Sequence, residues 1–337
     1  MEKLKTNFIV INFKKYIVSI ISVGFIITLV LFSTTNLQAA KAGLKLWANS
    51  VVPSLFPFFV ATEILCNTNL VYAAGKYLRK PIHKIFNVPG EGAIAIIMGI
   101  ISGYPTGAKI VVNFREKNIC SKEEGERLLA FTNNSGPLFI LGTVGISLFG
   151  DVKIGYLLLI SHIISSLIVG IIFKNWKKGK LKSYTDLVEK VEKPKNIGIR
   201  DLGEILGIAI KKSIITILNI GGFIVIFSVI LSILENGGLF NIIENVCKIF
   251  GISSGIGTSL ISGIIELTNG VSKLSLLGNK NIYIILASFL LGFGGISVLL
   301  QVYSVISKSD ISIKPYFYGK VIQACLSGLV TFLLLSL

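Results

Sequence analysis

The stretch SGYPTGAK, Ser102–Lys109, directly follows the apolar run AIAIIMGII at 93–101. A helix that crosses a bilayer needs about 20 apolar residues. Here glycine, proline and glycine interrupt the run after about half that length, and a lysine follows. Gly103 and Gly107 open conformations closed to other residues, and Pro105 lacks an N–H donor. Irregular backbone at membrane depth is tolerated only where protein or a water-filled cavity surrounds it. SGYPTGAK therefore reads as the tip of a re-entrant hairpin over 90–109, a place where the helix stops inside the membrane.

The rest of the chain supports a membrane setting. Of its 337 residues, 52% are hydrophobic and only 15% charged, against about 25% charged in soluble domains. Runs at 16–33, 156–173, 214–234 and 321–337 are apolar over enough residues to span or nearly span a bilayer. The net charge of +16 does not indicate nucleic acid, because the positives cluster beside apolar runs. Residues 173–200 hold nine Lys/Arg against three acids, and MEKLKTNFIVINFKKY holds four lysines. Such clusters mark the cytoplasmic side. The N-terminal run is longer than a signal-peptide core of about 7–15 residues, so it reads as a retained helix rather than a leader. Cys66, Cys120, Cys247 and Cys325 have neither metal nor redox spacing.

The expected fold is an all-α polytopic integral membrane protein forming one membrane domain, 1–337. Residues 16–33 form an N-terminal helix, 40–173 a first repeat, 174–200 a basic cytoplasmic loop and 201–337 a second repeat. Each half shows a long apolar segment (44–65; 213–234) and a Gly/Ser-interrupted one (90–109; 251–273). Two further spans follow in each (135–150 and 153–173; 281–297 and 315–337). The interrupted segments align, Ser102-Gly103 with Ser262-Gly263, and Gly107 and Lys109 near Gly270 and Lys273. With 16–33 crossing outward and the segment near 47–65 returning, a re-entrant 90–109 keeps the basic stretches inside. Each repeat then has about three crossings and one hairpin, so the two repeats have inverted topology. Broken segments in corresponding positions of inverted repeats point to a transport site.

The candidate site gathers at the two tips. From the first come Ser102, Gly103, Tyr104, Thr106, Gly107 and Lys109, with Lys109 either an anion partner or an interfacial lysine whose charge sits in water. From the second, IIELTNGVSK, come Glu266, Thr268, Asn269 and Gly270. A carboxylate in that apolar stretch faces a cavity, titrates, or pairs with a lysine such as Lys109. Between them, Ser121 and Glu124 form a capping box, so a helix starts at Lys122 and ends near TNNSGP. Thr132, Asn133, Asn134 and Ser135 then either bind substrate or cap the loop. GISSG (251–255) lacks the context of a nucleophile elbow, and GFGG (292–295) reads as a packing or helix-breaking site rather than a phosphate loop. His162 reads as a satisfied polar residue in a helix interface, and Tyr104 and Phe131 as packing or aromatic stacking residues. Neither an enzyme nor a cofactor or metal is expected, and no ATP-binding loop motif occurs.

AIAIIMGIISGYPTGAK, REKNICSKEEGERLLAFTNNSGPLFILGTVG and GIIELTNGV resemble the sporulation integral membrane protein YlbJ family, also called stage V sporulation protein V, within the nucleoside-recognition Gate group. The resemblance runs over roughly 40–337. It implies a role in late spore development, in the outer forespore membrane, carrying dipicolinic acid, a small aromatic dianion. A lysine, helix ends offering N–H groups and an amide-rich TNNSGP suit such an anion. The expectation is thus a permease for a small organic anion by alternating access, with the bilayer as its other partner and no nucleic acid. A coupling ion or proton and a homo-oligomer stay open. The alternatives are a nucleoside-like solute, which makes Asn133 matter more than Lys109, and a non-transporting scaffold for spore envelope assembly.

Overall fold

The computed structural model describes residues 2–66, 69–177, 202–307 and 309–337, and the regular elements among them are helical. In chain order these are α1 (Glu2–Leu31), α2 (Ser33–Leu46), a π-helical turn (Trp47–Val51), α3 (Val52–Cys66) and α4 (Asn69–Phe86). Next come α5 (Gly92–Ser102), α6 (Thr106–Glu116), α7 (Lys122–Thr132), a π-helical run (Phe139–Leu148) and α8 (Val152–Phe173). The second half holds α9 (Leu202–Asn236), α10 (Leu239–Ile249), α11 (Ile256–Ile265), α12 (Leu267–Leu276), α13 (Asn281–Phe293), α14 (Gly295–Ile306) and α15 (Lys314–Leu335). Of the basic stretch 174–200, residues 178–200 lie outside the described residues.

Five helical stretches are long and apolar enough to cross a bilayer: Ser33–Ala61, Val152–Phe173, Leu202–Asn236, Asn281–Ile306 and Lys314–Leu335. Their outward faces expose large apolar side chains such as Ile164, Ile215, Leu218, Leu329 and Leu333. Water would penalise that surface, whereas lipid chains solvate it. The polar side chains turn inward: Ser161, Ser165, Ser213, Ser288, Gln323, Ser327 and Thr331 are all fully buried. The Ser288 hydroxyl bonds the Ser327 hydroxyl (2.8 Å) and accepts from that of Thr331 (2.7 Å), joining α13 to α15.

Helix α7 begins where its capping box dictates. The Ser121 hydroxyl accepts from Glu124 N–H (3.1 Å), and the Glu124 carboxylate accepts from Ser121 N–H (2.8 Å). Outside the spans, Arg115 at the end of α6 donates to both carboxylate oxygens of Asp310 (2.9 and 3.0 Å). These bonds hold the Asp310 carboxyl below the ordinary aspartate range.

Helix α1 passes into α2 without a loop. Phe32 N–H bonds Thr28 O and Asn36 N–H bonds Phe32 O, both at 3.0 Å, so helical bonding passes through the bend. The Asn36 side chain also donates back to Thr28 O (2.9 Å), and neither Gly nor Pro stands between Gly24 and Gly43 to break the chain there. The expected span at 281–297 falls within the apolar stretch Asn281–Ile306, which Gly294 and Gly295, both at φ +85°, divide into α13 and α14. GFGG is indeed a helix breaker, and Gly292 also packs closely on α15, where an added Cβ would lie 2.7 Å from Gln323 O. One expectation is corrected: 135–150 is not an ordinary span, since residues 133–136 are unwound and a short π-helical run follows. That run packs on Ser50 and Ser54 through Thr143 (2.6 Å to the Ser54 hydroxyl) and Ser147 (2.8 Å to the Ser50 hydroxyl).

Glycines let the hairpins close. A Cβ on Gly270 would overlap the Gly263 backbone, so α11 and α12 touch main chain to main chain. A Cβ on either Gly99 or Gly107 would overlap the Thr132 carbonyl, which places both arms of the α5–α6 hairpin against the end of α7. Gly222 has open space around its Cβ position. We predict that Gly107→Ala and Gly270→Ala each cost about 1–3 kcal/mol through overpacking. Both should lower the melting temperature of the purified protein in detergent, and Gly222→Ala should leave it equal or higher.

Candidate functional site

Four interruptions of helix meet at one place. They are the α5–α6 tip at 103–105, the unwound 133–136, the α11–α12 break at Glu266 and the α13–α14 break at Gly294. A cavity of about 60 Å³ lies among them. Ser102, Gly103 and Tyr104 line it from the first tip, Ser135 and Gly136 from the unwound segment, Glu266 and Thr268 from the second tip, and Ser297 and Gln301 from α14. Phe58, Phe59, Phe139 and Phe223 complete its wall. The volume holds a few waters, too little for an aromatic acid unless part of the wall moves.

The chemistry of the wall is one-sided. The Ser102, Tyr104, Ser135 and Ser297 hydroxyls are buried with no hydrogen-bond partner among the described residues. A buried polar atom without a partner costs about 1–3 kcal/mol, so these groups call for water or a polar ligand. Glu266 is buried and caps α12: its carboxylate accepts from Asn269 N–H (2.7 Å) and from the Asn269 side chain (2.9 Å). Asn269 also donates to the Ser228 hydroxyl on α9 (3.0 Å). Of the alternatives for this carboxylate, Glu266 faces the cavity and caps α12, and among the described residues no ion pair joins it to Lys109.

Lys109 is exposed and lines a neighbouring groove of about 230 Å³ with Pro105, Thr216, Asn219 and Ser304. The groove and the cavity share Ile220, Phe223 and Gln301, so Lys109 lies beside the cavity rather than in it. Thr106 lines neither, and Gly107 and Gly270 serve close packing.

The amides of TNNSGP are engaged with protein. Asn133 is fully buried; its Oδ1 accepts from Ala108 N–H at the start of α6 (3.3 Å), and its Nδ2 donates to Tyr316 Oη (3.2 Å). Asn134 Nδ2 donates to Phe131 O (2.6 Å), and its Oδ1 accepts from Gln323 Nε2 (3.0 Å) and Lys320 Nζ (3.2 Å). Thr132 gives its carbonyl to the glycine contacts. Ser135 alone of the four side chains reaches the cavity, and its N–H donates to His162 Nε2 (3.3 Å). Nε2 is therefore the unprotonated nitrogen of His162, and the Nδ1 atom has no partner among the described residues. Phe131 stacks on Phe86, ring centroids 4.8 Å apart, and is a packing residue.

Sequence reasoning missed Lys320. It is 2% exposed, on α15, with no ion pair among the described residues. The signal was present as a lysine and a glutamine, KVIQ at 320–323, within an otherwise apolar helix.

Asn133→Leu keeps the volume but strands Ala108 N–H and Tyr316 Oη. We predict a loss of about 2–4 kcal/mol, measured as a lower melting temperature in detergent, with Asn133→Gln recovering part of it.

Comparison with curated proteins finds sporulation integral membrane protein YlbJ of Bacillus subtilis (strain 168). It is 34% identical over 328 residues, which cover 91% of this chain and 79% of that protein. No family model matches, and no solved structure matches. With that identity along most of both chains, and helices apolar enough to cross a bilayer, this chain belongs to the YlbJ family of sporulation integral membrane proteins.

Proposed function

We propose that the protein is a secondary-type permease for a small organic anion, with dipicolinic acid as its solute, acting in the outer forespore membrane during sporulation. The observation that carries this reading is the convergence of four helix interruptions on one cavity with partnerless hydroxyls. A scaffold gains nothing from unwinding four helices at one depth, since each break forfeits backbone hydrogen bonds. A carrier needs polar backbone and side chains there.

The order of elements supports inverted repeats. The hairpin α5–α6, the interrupted segment 122–148 and the long α8 are followed, after α9 and α10, by the hairpin α11–α12, the interrupted α13–α14 and the long α15. Alternating access then consists of one repeat moving against the other around the cavity. The substrate identity comes from the family resemblance; the geometry adds a mainly apolar cavity with hydroxyls and phenylalanines in its wall, which an aromatic acid enters only when part of that wall moves. Lys109, exposed in the entrance groove, draws anions inward by a field that salt screens over about 10 Å.

The test is uptake of labelled dipicolinate by proteoliposomes holding the purified protein, with a nucleoside as control. We predict saturable dipicolinate uptake and none of the nucleoside. Lys109→Met should raise KM about 3- to 10-fold at low salt, with the difference shrinking as ionic strength rises. Failure of folded, inserted protein to take up dipicolinate contradicts the reading.

A further inference from the structure

Helix α15 carries a cation that the reading above does not use. Lys320 is buried to 2% exposure in the middle of the molecule, and no carboxylate lies within 4 Å of its ammonium among the described residues. Its hydrogen-bond acceptors are two neutral amides, Gln323 Oε1 (2.8 Å) and Asn134 Oδ1 (3.2 Å). Two aromatic faces complete its surroundings, Tyr104 at 5.3 Å and Tyr316 at 5.7 Å from ring centroid to ammonium. Amides and ring faces solvate a cation without neutralising it. A residue needed only for packing at this position would be Leu or Met, because a buried charge without a counter-ion opposes folding.

Tyr104 stands between this cation and the cavity. It belongs to the first hairpin tip and lines the cavity, while its ring covers the ammonium. Its hydroxyl packs on the α13–α14 break, where a Cβ on Gly294 would lie 2.8 Å away. Asn134, adjacent to the cavity-lining Ser135, holds the same ammonium. A solute carboxylate arriving in the cavity thus meets Tyr104 first and Lys320 directly behind it.

We propose that Lys320 is the charge that recognises the solute's carboxylate, and that Tyr104 occupies the ammonium until the solute displaces it. This rests on the permease reading and deepens it: Lys109 gathers anions at the entrance and Lys320 selects them inside. The exchange is favourable because a carboxylate makes a charge-assisted hydrogen bond to an ammonium, stronger than a ring face offers. The displacement also enlarges a cavity too small for an aromatic acid. Because Tyr104 contacts both Lys320 and the α13–α14 break, its departure moves the first hairpin tip relative to the second half. Solute binding is thereby tied to the motion that alternating access requires.

The experiment compares wild type, Lys320→Met and Lys320→Gln in dipicolinate uptake and in melting temperature with and without dipicolinate. Removing an uncompensated buried charge should leave both Lys320 variants melting no lower than wild type. Their dipicolinate uptake should fall about 30-fold or more in kcat/KM, and dipicolinate should no longer raise their melting temperature. Wild-type KM and dipicolinate stabilisation in Lys320→Met or Lys320→Gln would overturn the role of Lys320 while leaving the permease reading in place. Lys320 variants that melt well below wild type without dipicolinate would also overturn it, showing a structural lysine. Absence of dipicolinate uptake by wild type would remove the permease reading, and this inference with it.

Discussion

Every interruption of a helix inside a membrane frees N–H and C=O groups that lipid cannot satisfy, and the architecture follows from meeting that demand. The Asn133 amide takes Ala108 N–H, the Glu266 carboxylate takes Asn269 N–H, and His162 takes Ser135 N–H. Each of these acceptors is itself buried and so had to be surrounded by protein. The surrounding helices α8, α9, α13 and α15 bury Ser161, Ser165, Ser213, Ser288, Gln323, Ser327 and Thr331 for the same reason. What the protein does not satisfy is as informative as what it does. The Ser102 and Ser297 hydroxyls line a common cavity without partners among the described residues, and there the demand passes to water or to a solute.

The second constraint is charge. A membrane interior accepts Glu266 and Lys320 only because polar groups surround each of them, yet they are solvated separately rather than paired. Glu266 is absorbed into the N-terminus of α12, where the helix dipole and two amide donors favour a carboxylate. Lys320 receives two amide oxygens and two ring faces. Pairing them would have cancelled both charges. Kept apart, Glu266 lines the cavity and Lys320 lies under the ring of the cavity-lining Tyr104.

Much of the fold was legible because its signals are local. Gly103, Pro105 and Gly107 announce the first hairpin, Ser121 and Glu124 start α7, and the Gly-rich second tip folds back where Gly263 meets Gly270. The bend at Phe32 was not legible. Its cause is a side-chain bond from Asn36 to Thr28 O, not a breaker residue, and nothing in the surrounding composition distinguishes it from a loop. The division of 281–306 was half legible: GFGG reads as a breaker, but the apolar run on its N-terminal side is long enough to be taken for a span. At the site, Ser102, Tyr104, Ser135, Glu266 and Thr268 reach the cavity as their positions at breaks suggest. Asn133 and Asn134 do not, because their amides are consumed by α6 and α15, and such use depends on tertiary partners distant in the chain. Lys320 escaped for a related reason. KPYFYGK at the start of a span looks like interfacial lysines reaching for water, and only the packing of Tyr104 and Tyr316 over it reveals a buried charge.

The most direct measurement asks whether solute occupies the cavity where the breaks converge. In a cysteine-free background, Gln301→Cys places one thiol where cavity and entrance groove join. Its labelling rate by a small water-soluble thiol reagent would be followed in membranes as dipicolinate is added. A site at the breaks predicts protection that saturates, half-complete at the KM for uptake. Labelling that dipicolinate leaves unchanged, in protein that still takes up dipicolinate, would place the solute path elsewhere in the bundle.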